Sequence, residues 1–341
     1  MTSPHRTAHT PRIRRMALVS MSVTVAAVLS GCSADADESS GTDGDSQSQA
    51  AARPKGVVTL DVARATVDEY EKVNNKANAV RDGKLLGTVE AGQVHEQSLA
   101  DYKQFKTWSK ADQKEYGTPF FYKSREYYIP DGDQSWFAVK ATSSGTKYEA
   151  LMIFDKVDGR FKLVSAVYAE ETTTIPKVAV RNGFATAVDP SNRVGPLAPD
   201  QLGNAFEDLV ETGGKKEGQQ LAPTQATKEF TKHYTDRTKA KEASFATINY
   251  FDGDPAHPKV YALRLADGGV LAVFPSAYTN EFLHKRFMNG GVIIPGERKS
   301  LYNPERRPVI TDVYQGQGLA ILTPSEKPKV IAREFQMVDS Q

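Results

Sequence analysis

The residues able to do chemistry are few and scattered. Six histidines occur in 341 residues. His95 and Glu96 lie on an expected helix, where sequence neighbours point about 100° apart and cannot share a ligand. Glu281 and His284 have the i, i+3 spacing of half a carboxylate-bridged metal site, but such a site needs the motif twice plus two further carboxylates on facing helices. His233 and Asp236 have the types of a base and its orienting acid, yet no serine in a nucleophile-elbow or Ser-x-x-Lys context accompanies them. Asp131-Gly132-Asp133 and Asp252-Gly253-Asp254 share residue types with calcium loops. Calcium needs about six to eight oxygens and the loop's distal glutamate is missing, whereas a hairpin turn needs Asp-Gly for itself. No Gly-x-Gly-x-x-Gly or Gly-x-x-x-x-Gly-Lys run occurs, so neither a nucleotide cofactor nor a metal is expected.

Two groups stand above this background. The first is aromatic: Trp108, Tyr116, Phe120, Phe121, Tyr122, Tyr127, Tyr128 and Trp136. Consecutive residues of a strand face opposite sides, so Tyr127 and Tyr128 cannot share one core. Tyr122, Tyr127, Tyr128 and Trp136 are therefore the expected lining of a binding groove, with helix-to-sheet packing as the plainer reading. The second group is basic: Lys285, Arg286, Arg298, Lys299, Arg306 and Arg307. It suits an anionic wall polymer or lipid headgroups, or simply a solvated face of loops.

The one cysteine, Cys32, closes Leu29-Ser30-Gly31-Cys32 after a basic segment (Arg6, Arg12, Arg14, Arg15) and a short apolar run from Met16 to Leu29. That layout is a secretory signal with a small-residue cleavage site. The run is shorter than the ~20 residues that span a bilayer. The four residues resemble the lipobox of bacterial lipoproteins, which implies that residues 1–31 are removed and that the Cys32 thiol receives a diacylglycerol as the new N-terminus. Losing four cations and no anions takes the formal charge from +1 to −3, far from the strongly basic balance of a nucleic-acid binder. A thiol consumed by lipid also leaves no disulfide, cysteine nucleophile or cysteine-based zinc site. Multiple acyl chains, each methylene contributing about 0.8 kcal/mol, hold such a protein stably. The expected partner is thus the membrane, through Cys32, at the extracytoplasmic face.

Positioning elements follow the leader. Residues 33–55 are rich in Ser, Ala, Gly, Asp and Gln and lack aromatics, the composition of a flexible tether; 32–56 is read as lipidated cysteine plus tether. Val67, Tyr70, Val73, Ala77 and Val80 recur at helical spacing and predict a helix over 61–81, stopped by Asp82-Gly83. A second helix is predicted over 90–106 with Val94, Leu99, Tyr102 and Phe105 inward. Strands are predicted over 120–129, 135–141, 148–154 and 161–169, with Asp158-Gly159 as a tight hairpin turn. The 148–154 strand has apolar residues on both alternating sets, so both its faces should be covered.

A Pro-rich segment over 189–199 marks a boundary and a semi-rigid spacer. The second unit repeats the order: helices with Leu202, Phe206, Leu209 and Val210, then Ala226, Phe230 and Tyr234, inward. Strands are predicted over 243–251, 259–265, 269–274, 290–294, 309–314, 319–323 and 329–337, with Gly316-Gln317-Gly318 as punctuation. The fold class is therefore α+β, with two domains over 57–188 and 200–341, each two helices followed by an antiparallel meander.

This element order is similar to the NTF2-like and SnoaL-like cone folds. Lipobox, tether and the Tyr70 to Phe105 stretch together resemble exported lipoproteins common in actinomycetes, a family that implies no activity. The function expected from all this is a non-catalytic module binding a small ligand or envelope protein. The alternatives are a SnoaL-like enzyme, for which the resemblance implies an acid-base group among His95, Asp101 and Glu126, and a structural part of an envelope complex.

Overall fold

The computed structural model describes residues 56–144, 146–169 and 173–341. The leader, Cys32 and the tether lie outside the described residues.

Thr59 caps the first helix, α1 (Leu60–Val80), by accepting the Val62 N–H. Val67, Tyr70, Val73 and Ala77 are buried as their spacing predicts. Val80 is 65% exposed because the helix ends immediately after it, at a left-handed Arg81 (φ 59°). Two short helices, α2 (Gly83–Leu86) and α4 (Lys110–Tyr116), flank α3 (Gly92–Gln104). A four-stranded antiparallel sheet follows, in the order β1 (Tyr122–Tyr128), β2 (Trp136–Ser143), β3 (Glu149–Val157) and β4 (Arg160–Tyr168). Asp158 and Gly159, both at positive φ, make the β3–β4 turn that Asp-Gly predicted. A two-residue pair, β5 (Val180–Arg181) and β6 (Phe184–Ala185), closes the first half.

The second half has helices α5 (Leu202–Glu211) and α6 (Gln225–Asp236) before the strands β7 (Ala246–Asp252), β8 (Tyr261–Arg264) and β9 (Val270–His284). After α7 (Glu297–Ser300) come two more long strands, β10 (Val309–Thr323) and β11 (Glu326–Ser340). The order in this sheet is β11-β10-β9, with β7 and β8 sharing the remaining side of β9. β7 pairs with residues 278–284 and β8 with 270–273, so 274–277 has no strand beside it there. Helix α5 fills the gap. The Glu207 carboxylate accepts the Ala277 N–H at 2.7 Å, and Gly203 admits the Pro275 carbonyl, which a Cβ at that position would approach to 2.7 Å.

Both halves are thus α+β, with helices ahead of an open antiparallel sheet, and the two sheets pack against each other. Tyr128, Trp136, Leu151, Ile153 and Val167 from the first sheet share a core with Leu263, Leu271, Val273 and Leu319 from the second. Met152 and Phe154, on the other face of β3, sit under α1, so β3 is covered on both sides. Phe206 and Phe230 of α5 and α6 stack at 4.2 Å over the outer face of the second sheet. The layers therefore run helix, sheet, sheet, helix. The 189–199 segment, expected as a spacer, is packed: Val194 and Leu197 are buried in the α5 core.

Three expectations need correction. First, α3 buries Gln93, Gln97, Ser98, Asp101 and Gln104 beside Val94, while Leu99 is 42% exposed. The helix crosses onto the strands of the other half, where amides find backbone partners: Gln97 Nε2 donates to Gln315 O at 3.2 Å and Gln104 Nε2 to Met337 O at 2.6 Å. Second, β10 runs unbroken through Gly316 and Gly318. These glycines make room rather than a turn, because a Cβ would stand 2.3 Å from the Phe335 ring at Gly316 and 2.2 Å from the Phe274 ring at Gly318. Third, β9 extends ten residues past 274, to His284, while 290–294 contributes only an isolated Ile293–Arg307 bridge.

Candidate functional site

The four aromatic residues expected to line a groove are divided between two cores. Tyr122 and Tyr127 lie on the α1 side and Tyr128 and Trp136 between the sheets. A bulge explains why Tyr122 and Tyr128 part company despite their even spacing: Ser124 sits at φ 51° and the β1–β2 register shifts between Lys123 and Glu126. One extra residue reverses the alternation of side chains. Each ring is used in packing or hydrogen bonding. The Tyr122 hydroxyl meets that of Tyr168 at 2.7 Å, Tyr128 donates to Glu126, and Trp136 donates to Gln134 and packs edge-on against Tyr261. The aromatic groove is not formed.

The candidate acids and bases are also kept apart. Asp101 is buried and accepts from Gln336 Nε2 at 2.5 Å, and Glu126 pairs with Lys140 at 2.8 Å. His95 and Glu96 diverge, Glu96 reaching His257 at 3.3 Å. Glu281 and His284 fall on strand β9, where residues three apart face opposite sides; Glu281 accepts from Asn249 and His284 from the Arg286 N–H. Asp236 pairs with Lys239 and Lys232, and His233 rests edge-on against Phe230. Among the described residues no group of three His, Cys, Asp or Glu is placed to hold a metal ion.

His95 has a different setting. It stands in an open cleft of about 490 Å³ between the α2 turn, the first turns of α3 and the β3–β4 hairpin. Gly83, Lys84, Gly87 and Thr88 form one wall, and Asp158, Arg160 and Lys162 the other. Asp82 fixes the α2 wall by accepting the Leu85 N–H at 2.9 Å, and Lys162 ties the hairpin to it by donating to Gly87 O at 2.8 Å. Gly87 is small where the imidazole passes, since a Cβ there would lie 3.3 Å from the ring. Partial burial, and then the charge of Lys162, hold the His95 pKa below the ordinary histidine range. Three cations and a neutral imidazole against one carboxylate favour an anionic guest. Such a cleft can bind and orient an anion; its one hydroxyl, Thr88, donates to the Leu85 carbonyl at 2.7 Å. Lys84, Arg160 and Lys162 form no motif in the chain; the only sequence signals near them were His95 and the Asp158-Gly159 turn.

Residues 54–341 match the family described as Domain of unknown function (DUF8094). The chain belongs to that family. The matched stretch spans both halves, so the family unit is the whole four-layer body. The chain is also 33% identical over 297 residues to Uncharacterized lipoprotein SCO6871 of Streptomyces coelicolor, an alignment covering 82% of this chain and 79% of that protein. The resemblance to actinomycete lipoproteins expected from the N-terminal residues is borne out by this relative. Among the described residues no helix is long and apolar enough to cross a membrane.

Proposed function

We propose that the protein is a lipoprotein anchored through Cys32 at the outer face of the cytoplasmic membrane, and that it binds an anionic group in the His95 cleft without transforming it. The observation that carries the binding reading is that Lys84, Arg160 and Lys162 line one open cleft with His95. The lipobox residues and the lipoprotein relative support the anchor. The finer fold reading, each half as an NTF2-like cone, belongs to the same proposal and is supported by helices preceding an antiparallel sheet in both halves.

The anchor is tested by mass. Protein extracted from membranes should begin at Cys32 and carry acyl chains on it; an N-terminus elsewhere, or a free Cys32 thiol, removes the anchor from the proposal.

The cleft is tested by titrating inorganic phosphate while following the imidazole resonances. A bound anion favours the charged imidazole, so the His95 pKa should rise back toward its ordinary value as phosphate saturates. Binding should weaken as pH rises through that transition. Arg160→Ala and Lys162→Ala should each lower affinity about tenfold, the scale of one charged hydrogen bond. A His95 resonance that ignores tens of millimolar phosphate would leave the cleft without a function.

A further inference from the structure

The connection from β9 to β10 leaves the sheet and presents an apolar tip. Of the thirteen large hydrophobic side chains exposed among the described residues, five fall within 287–301. Met288 is 81% exposed, Ile294 66%, Val292 45% and Phe287 44%. They are held outward by a built turn. The Gly291 N–H donates to Arg286 O at 2.9 Å, and Gly290 takes the left-handed conformation at φ 73°. Ile293 is exchanged with Arg307 through paired backbone hydrogen bonds. Its side chain is buried with Ile248, Phe282 and Ile310, which by alternation turns Val292 and Ile294 to solvent.

Charge surrounds the tip. Residues 285–308 carry six basic and two acidic side chains. Lys299 is spent on the buried Asp312 at 2.8 Å and Arg307 on the carbonyls of Asn303 and Glu305. Lys285, Arg286 and Arg306 are exposed, Lys285 also donating to the Ala243 carbonyl at 2.5 Å. An apolar wedge rimmed by cations is complementary to the interface of an anionic bilayer, where side chains enter the headgroup boundary and lysine or arginine meets the lipid charge. It fits a soluble protein surface poorly, since large apolar residues grouped in this way signal an interaction site.

We propose that the 287–294 tip is a second membrane contact, seating Phe287, Met288, Val292 and Ile294 in the headgroup region of an anionic bilayer with Lys285, Arg286 and Arg306 against its phosphates. The proposal rests on the anchored reading, since the anchor supplies the bilayer. The 23 residues between Cys32 and Gly56 extend to at most about 80 Å, a span that leaves the tip free to reach the surface.

The test uses the acylated protein carrying Met288→Cys, labelled with an environment-sensitive fluorophore and reconstituted into vesicles. Phosphatidylcholine vesicles are compared with vesicles containing phosphatidylglycerol. The label should shift to the blue and be quenched by brominated lipid in the anionic vesicles, and much less in the neutral ones. The pair Lys285→Glu and Arg286→Glu should abolish the shift, and a label at Val180→Cys, in the other half, should stay water-like throughout. A label at 288 that stays water-like in anionic vesicles overturns the proposal. So does a shift that needs no vesicles and grows with protein concentration, because a second copy then covers the tip. Failure of the anchor reads differently: the protein would not float with phosphatidylcholine vesicles at all, whatever the label reports in anionic ones.

Discussion

Gly318→Val will destabilise the fold by about 2 kcal/mol, and by more where the backbone must shift, although valine is a better strand residue than glycine. Strand β10 lies between β9 and β11, and Gly318 pairs with Phe274 on one side and Arg333 on the other. The Phe274 ring lies across the glycine, so a Cβ would stand 2.2 Å from its Cζ. Phe274 has nowhere to go, being fully buried edge-on to Phe206 at 5.9 Å. The gain in strand propensity is at most about 1 kcal/mol. Overpacking a closed core costs about 1–3 kcal/mol and more where backbone must shift, so the loss wins. Removing the obstruction should relieve the clash: Phe274→Ala alone costs about 3–5 kcal/mol, and the double variant should lose clearly less than the two losses added. Urea unfolding of the four proteins measures this. An unchanged midpoint for Gly318→Val would mean the ring does not cover the strand in solution.

The second large effect is a pH dependence centred on Glu207. Its carboxylate is 2% exposed on α5, facing the strand-free stretch of β9. Burial raises its pKa to about 7, against the Ala277 hydrogen bond that favours the charged form. In the unfolded chain the same group titrates near 4.5. Between these values the folded protein holds a proton that the unfolded chain has released, so stability falls as pH rises through the window. Its contribution is fully present below about 4.5 and lost above about 7, a change of about 3 kcal/mol at 1.36 kcal/mol per unit. Glu207→Gln keeps an acceptor for Ala277 and cannot ionise. The stability difference between variant and parent should therefore move by about 3 kcal/mol in the variant's favour between pH 4.5 and 8, with contributions from other groups cancelling. A flat difference across that range would show that Glu207 is an ordinary carboxylate.

Where one side of an element met an apolar partner, its pattern was legible. The spacing of Val67, Tyr70, Val73 and Ala77 placed α1, and the aromatic and β-branched runs with Asp158-Gly159 placed β1 to β4. Helix α3 hid its inward face because that face is polar: Gln97 and Gln104 bind carbonyls contributed by residues more than two hundred positions later. Gly316 and Gly318 read as turns because a missing side chain looks the same whether it permits a bend or admits a ring. The one-residue bulge at Ser124 divided an aromatic cluster that even spacing suggested was shared. The His95 cleft was the least legible part, since α2 supplies Lys84 and β4 supplies Arg160 and Lys162, and only the folded hairpin brings them together.

The interrupted side of β9 has a further consequence when each sheet border is considered as a surface open to another chain. An exposed strand border is a template for pairing between molecules, and proteins blunt it with bulges, proline, lysine or a covering segment. Here β1 carries the Ser124 bulge. Beyond β4, residues 89–91 are hydrogen-bonded to Leu163. β11 has Pro328 between Lys327 and Lys329, with the Pro328 carbonyl taken by the Ala222 N–H. Beyond β8, residues 179–188 are hydrogen-bonded to it, and the strand-free stretch of β9 between β7 and β8 is plugged by α5. Each border therefore carries a device against growth by strand addition, which lets copies of this protein be crowded on a surface without polymerising through their sheets.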